Sequence, residues 1–471
     1  MGVTQDEDIE MTRHLRVLLI VALIAIDASV AGCGSDDGGT GGTGGTGLGP
    51  NPCQGNGGSG QVEITVEEIT QDTLFESSCN YILTRDTYVI GAEITIEPGT
   101  LFGGDQGSAL IITATGKINA VGTKDEPIVF TSASLPSEAQ AGAWGGVVLL
   151  GRARLSWGDT PCNGEAGECV GSIEGISTDN PRGRFGGNDD THDCGTMRYV
   201  RVEYAGAVFG PDNELNGLTV GGCGDQTELS YIQIHRGLDD GVEFFGGTAP
   251  IDHVIVTGPG DDGLDWDQGY RGTIDNFIVH HFSSSTTSPN GVEADNYGSG
   301  DNNVQPRSAP QLTNGTIIGD GRTEGSGVVT RVGTWGILDG LVVVGFGGKG
   351  FDMRNGAWSV AGGWPDGIVV SNSCFDGNGE NYPVDEDDAK DSSAAGGTAD
   401  FFDEPMLLSD AARNNFEEDP GLGNFSTAAT GGSPAPDYSL TNDNCLGAFG
   451  GTAGADWTAD WTAYPVGAAD N

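Results

Sequence analysis

From about Val62 to Cys374 the chain is a succession of short runs in which apolar and polar residues alternate, separated by Gly, Asn and Asp. A period of two over four to eight residues predicts half-buried β-strands, and no stretch of this region carries a helical period. One strand recurs as Tyr199-Val200-Arg201-Val202-Glu203, Tyr231-Ile232-Gln233-Ile234-His235, His253-Val254-Ile255-Val256-Thr257, Phe277-Ile278-Val279-His280-His281, Gly315-Thr316-Ile317-Ile318-Gly319 and Leu341-Val342-Val343-Val344-Gly345. Its second and fourth positions are aliphatic in nearly every copy and are expected to face inward. The copies begin 22 to 38 residues apart. A second strand follows each first one, starting at Asn216-Gly217-Leu218, Asp240-Gly241-Val242, Asp262-Gly263-Leu264, Asn290-Gly291-Val292, Ser326-Gly327-Val328 and Lys349-Gly350-Phe351. Two strand registers per period, with loops absorbing the differences in length, predict an all-β solenoid of the parallel β-helix type. A propeller blade needs four strands and about 40–45 residues, which the shorter periods do not supply.

The flanks read differently. Arg13, His14 and Arg16 precede the apolar run Val17 to Ile26, and Val30-Ala31-Gly32-Cys33 follows. This is the layout of a secretory signal, and the run is too short to span a membrane. Residues 1–10 are acidic, which points to translation from Met11. The segment Val30 to Cys33 resembles the lipobox of bacterial lipoproteins, which implies cleavage after residue 32 and lipidation of Cys33. Gly34 in the next position implies, by analogy with lipoprotein sorting, an outer-membrane lipoprotein, with exposure at the cell surface as one of the two leaflet placements left open. Gly-Gly-Thr repeats then form a tether, so the expected division is a signal over 1–32, a tether over 33–60, the β-helix over 61–382, an acidic insertion or cap over 383–418 and a C-terminal end and cap over 419–471. Within the insertion, Glu404 to Phe416 is expected to form a short helix.

Removing Cys33 leaves eight cysteines, an even number in an exported chain, and these predict four disulfides. Eight thiols allow 105 connectivities, and pairing of sequence neighbours is the expectation chosen: 53 with 79, 162 with 169, 194 with 223 and 374 with 445. No Cys-x-x-Cys pair and no histidine cluster supports zinc. The net charge of −48 repels nucleic acid and anionic membranes, so contact with the membrane is expected through the anchor alone.

Several segments carry a family resemblance. Glu97-Pro98-Gly99-Thr100, Gly122 to Ser132, Trp144-Gly145-Gly146, Arg198 to Gly206, Asp239 to Gly247, Asp265 to Gly272 and the terminal Asp456 to Thr462 are similar to bacterial surface lipoproteins with pectate-lyase-like domains. The resemblance implies a right-handed parallel β-helix over roughly residues 80–465 and brings no established reaction with it.

Stacking the second strands places their outward residues in columns. One column reads Thr219, Glu243, Asp265, Glu293, Val329, Asp352, and the next Gly221, Phe245, Asp267, Asp295, Arg331, Arg354. Glu243, Asp265, Asp267, Glu293 and Asp295 therefore crowd three successive coils. At the rung spacing of about 4.8 Å, two carboxylates repel by about 3.5 kcal/mol at an effective dielectric of ~20. Such a set calls for cations, arginines or retained protons. Calcium suits it, since that ion takes six to eight hard oxygens in flexible geometry, and Asp240, Asp262 and Asn290 at the preceding turns can add oxygens. The alternative is that these acids are solvated or paired with Arg271, Arg331 and Arg354.

Gly260-Asp261-Asp262 and Ser288-Pro289-Asn290 are similar to fragments of polygalacturonase-type hydrolases, although the Gly-His-Gly and Arg-Ile-Lys motifs of that family are absent. A resemblance to pectate lyases would make Arg331 or Arg354 a base beside calcium. Asp265, Asp267 and Arg331 are thus the catalytic candidates. His235 and His281 are expected in one outward column and His280 in the interior. Trp144, Trp157, Trp266, Trp335, Trp358 and Trp364 are expected to pack in the core or at coil edges rather than line a sugar groove. The function expected is a surface binding or adhesion module for polysaccharide, calcium-dependent, with a polysaccharide lyase or glycoside hydrolase as the alternative.

Overall fold

The computed structural model describes residues 48–467 except 160–161, 163–167, 211–212, 283–288, 297–302, 324, 355–366 and 383–407. The signal, Cys33, Trp358, Trp364 and most of the acidic insertion lie outside the described residues. Within the stretch expected as tether, Pro52–Gly55 forms an α-helical turn whose buried Cys53 is bonded to Cys79.

The chain winds into a right-handed parallel β-helix. Ten strands form one sheet, running from Glu68–Ile69 through Leu218–Gly221, Val242–Phe245, Leu264–Asp267, Val292–Ala294 and Val328–Thr330 to Phe351–Met353. Neighbours are parallel and in register, so Leu218, Val242, Leu264, Val292, Val328 and Phe351 lie above one another, all fully buried. A sixteen-stranded sheet supplies the other walls. Its long strands, such as Glu228–His235 and Thr273–His280, each turn a corner at one residue with positive φ: Tyr231, His253, Asn276 and Asn314 in successive coils. Asn takes the left-handed region at low cost, and there its amide reaches the preceding coil, as from Asn314 to Asp275 (2.9 Å). Tyr231 and His253 stack with centroids 4.4 Å apart, a contact that offsets their less favourable backbone.

All four neighbour disulfides form as expected: 53–79, 162–169, 194–223 and 374–445. Of the helix expected over Glu404 to Phe416, the described part begins at Leu408, which is helical, while residues 409–416 are not. Arg413 and Phe416 instead continue the coil ladder by backbone bonds to Asn372, Ser373 and Phe375. That pairing satisfies the open edge of the last rung, which a helix would leave bare.

The first-strand register differs from expectation in the later coils. Thr257 pairs with His280 and His280 with Ile318, so His280, not His281, shares the outward column of His235. Phe277, Val279, Ile317, Leu341 and Val343 face the core. The outward positions here are also aliphatic, because the C-terminal segment lies over them: Tyr438, Trp461 and Tyr464 cover Ile255, Ile278 and Ile318. With both faces apolar, alternation cannot choose between them. His235, His280 and His281 are all buried. His235 sits between Thr257 and the carbonyl of Pro465, and His280 contacts the hydroxyl of Tyr438.

Candidate functional site

The outer face of the ten-stranded sheet is covered along its early coils. The described residues of the stretch 151–186 lie outside the coils there and lay Leu155, Ile173 and Phe185 over Val148, Leu150 and Phe245. That apolar cover ends at Phe245. In the next coils the outward positions change to Asp265, Asp267 and Glu293, and the expected acidic columns stand in the expected register. Their crowding follows from the fold, because parallel in-register coils repeat each outward position at the rung spacing.

The turn before each strand adds a second acidic ladder. Asp240 Oδ1 accepts the backbone N–H of Asp262 (2.8 Å), Asp262 Oδ1 that of Asn290 (2.6 Å), and Asn290 Oδ1 that of Ser326 (3.2 Å). Asp240 and Asp262 are buried. Oxygens of Asp240, Glu243 and Asp265 lie within 4.8 Å of one another, as do those of Asp262, Asp265 and Glu293 and those of Asp239, Asp240 and Asp261. These clusters can hold a metal ion.

Of the five carboxylates singled out from the sequence, Glu243, Asp265 and Glu293 enter such groups. Asp295 instead accepts two bonds from Arg331 (Nε 2.8 Å, Nη2 2.9 Å), and the same guanidinium reaches Glu293. Asp267 accepts the N–H of Gln268 (2.5 Å). Farther along the column, Asp352 is paired with Lys349 and Arg354, while Arg271 turns away to Asp190. Among the described residues the cationic partners therefore cluster at one end, and the acids of the Glu243 and Asp265 rungs have none of their own.

Proton affinity follows this imbalance. Burial first, then the charges of Glu293 and Asp295, pushes Asp265 well above the usual carboxylate range. Burial and Asp262 do the same to Asp240, and burial and Glu174 to Glu243. Asp267 is raised to about 7 by burial and the neighbouring Asp295, and Asp239 to about 8 by burial, Glu174 and Asp261. Arg331 is driven above the ordinary arginine range by Asp295, Glu293 and Asp265, which outweigh its own desolvation.

Sequence reading missed Glu174 and Glu214 and named Asp261 only in the hydrolase-like fragment and Asp239 only in the family resemblance, yet the charges of Glu174, Asp261 and Glu214 all act on Asp239. Glu174 arrives from the covering excursion, where Asn216 Nδ2 binds both its carboxylate (2.8 Å) and that of Glu243 (2.6 Å). No local pattern marks it. Asp239 and Asp261 were legible, since each precedes a turn acid already named. Among the tryptophans, Trp144 and Trp266 are fully buried and donate to the carbonyl of Glu203 and the hydroxyl of Thr334, whereas Trp157 and Trp335 are partly exposed. No helix among the described residues is long and apolar enough to cross a membrane.

A family model described as a pectate-lyase-like beta helix domain matches residues 67–462. Neither the curated proteins nor the solved structures contain a match.

Proposed function

Because the chain belongs to the pectate-lyase-like β-helix family, we propose that it is a surface-held binding or adhesion module that grips extended, acidic polysaccharide through divalent cations, calcium above all. One observation carries this reading: consecutive rungs present carboxylates outward just where the apolar cover ends, and the Glu243 and Asp265 rungs have no cationic partner of their own among the described residues. A cation held there supplies positive charge between two anionic partners. An all-carboxylate donor set with buried oxygens fits calcium, the hard, flexible ion of this kind. A rigid face repeating at about 4.8 Å suits a polymer better than a compact metabolite. Cys33 would carry the lipid anchor, at the outer membrane with the body exposed, and the charge of −48 disfavours nucleic acid as a partner.

The enzymatic alternative divides on the site's chemistry. Arg331 is held by Glu293 and Asp295 and its proton is stabilised, which disfavours it as the base of a lyase. Asp267, titrating at about 7 beside Asp295, has the proton affinity of a general acid, and this favours hydrolase over lyase as the second reading. The test is to mix the full chain with polygalacturonate, alginate and neutral glycans, with calcium or with chelator, following both binding and new reducing or unsaturated ends. Calcium-dependent retention of the uronates without products is expected. Products that vanish in Asp265→Asn or Asp267→Asn would replace the binding role with catalysis, and no retention of any glycan would end it.

A further inference from the structure

Asp265 belongs to two of the carboxylate groups at once. It closes the group of Asp240 and Glu243 on the rung before it and the group of Asp262 and Glu293 on its own coil and the next. We infer that the site holds two divalent cations one coil apart, with the Asp265 carboxylate as the ligand they share.

Three observations carry this beyond a crowd of acids. Asp265 Oδ1 is shielded from solvent and has no hydrogen-bond donor among the described residues, and the register explains why: its neighbours on the two adjacent rungs, Glu243 and Glu293, are themselves acceptors. A buried carboxylate oxygen without a donor is costly unless a cation meets it. Asn216 is completely buried with its amide nitrogen against Glu243 and Glu174, and its Oδ1 also lacks a donor, which leaves a neutral oxygen beside the first group. Charge gives the number of ions. The two groups hold five carboxylates, and among the described residues the guanidinium that reaches them, Arg331, is shared between Glu293 and Asp295, so with Asp295 and Arg331 included the ionised set carries five net negative charges. One divalent ion leaves the set strongly negative, whereas two bring it to within one charge of neutrality. A ligand common to both ions is what lets two like charges sit on adjacent rungs, as in sites where carboxylates clamp a metal pair.

This inference rests on the proposed cation dependence, and stoichiometry separates the two claims. The full chain is stripped with chelator, loaded with calcium in about 0.15 M salt to suppress loose surface ions, and the tightly held calcium per chain is counted by equilibrium dialysis and calorimetry. Two ions are expected for the wild type, one each for Glu243→Gln and Glu293→Gln, and none for Asp265→Asn. A wild type holding one ion overturns the shared-ligand pair and leaves the proposed function standing, whereas none overturns both. An Asp265→Asn chain that keeps one tight ion also overturns the pair. Should Asp265→Asn fail to fold, the two glutamine variants decide alone: each must lose one ion, and a wild-type count in either sinks the inference.

Discussion

Replacing Asp267 by Asn isolates the strain stored in the acidic columns. In the folded chain burial and Asp295 hold this carboxyl at about 7, against about 3.8 for the free side chain. Between those two values the folded state keeps a proton that the unfolded state has released. Stability contributed by this group is therefore highest below pH ~3.8, declines as pH rises towards ~7, and stays at its low level above that. A shift of roughly three units corresponds to about 4 kcal/mol, and partial access of water reduces it to ~2–4 kcal/mol. Asn has the same shape and can still accept the N–H of Gln268 without carrying charge. Guanidinium unfolding of wild type and Asp267→Asn, in chelator, at pH 4 and pH 8, measures the difference. The variant should be more stable by ~2–4 kcal/mol at pH 8 and close to wild type at pH 4. A gap of equal size at both pH values, or a variant less stable at pH 8, would refute the electrostatic account of the site.

Two more expectations test the scaffold. Burial lowers His280 to about 3, so the unfolded chain gains a proton below pH ~6.5 that the folded chain refuses, and this contribution to stability is lost as pH falls from there. His280→Asn should reduce the loss between pH 6.5 and 5 by ~2 kcal/mol in urea midpoints, and an unchanged pH slope would contradict the neutral buried histidine. Asn314 combines a φ of 54° with an amide bond to Asp275. Asn314→Ala should cost ~1–2 kcal/mol and Asn314→Gly less, with thermal melting as the readout and equal losses counting against the corner strain.

Pattern and composition alone determined the β-helix, the second-strand register and the outward acidic columns. In a parallel coil each of these depends only on alternation and on one return per period, both local properties of the chain. Sequence adjacency was also enough for the four disulfides, since the bonded cysteines approach one another on the same or neighbouring coils, or where the C-terminal segment returns. What needed the tertiary structure was whatever a distant segment supplies. The one-residue slip at Phe277 and His280 arose because residues 419–467 fold back and turn an outward face apolar, which erases the contrast that alternation relies on. Likewise Glu174, about seventy residues before Glu243 in the chain, meets it only because the excursion lies across the coils. Arg331 and Arg354 both follow the acids in sequence, yet only packing gave Arg331 to Asp295 and Glu293 and left Asp265 Oδ1 without a donor among the described residues. Charge in a column can be read from its spacing, but neutralisation depends on which side chains arrive from elsewhere, and long-range contacts decide that.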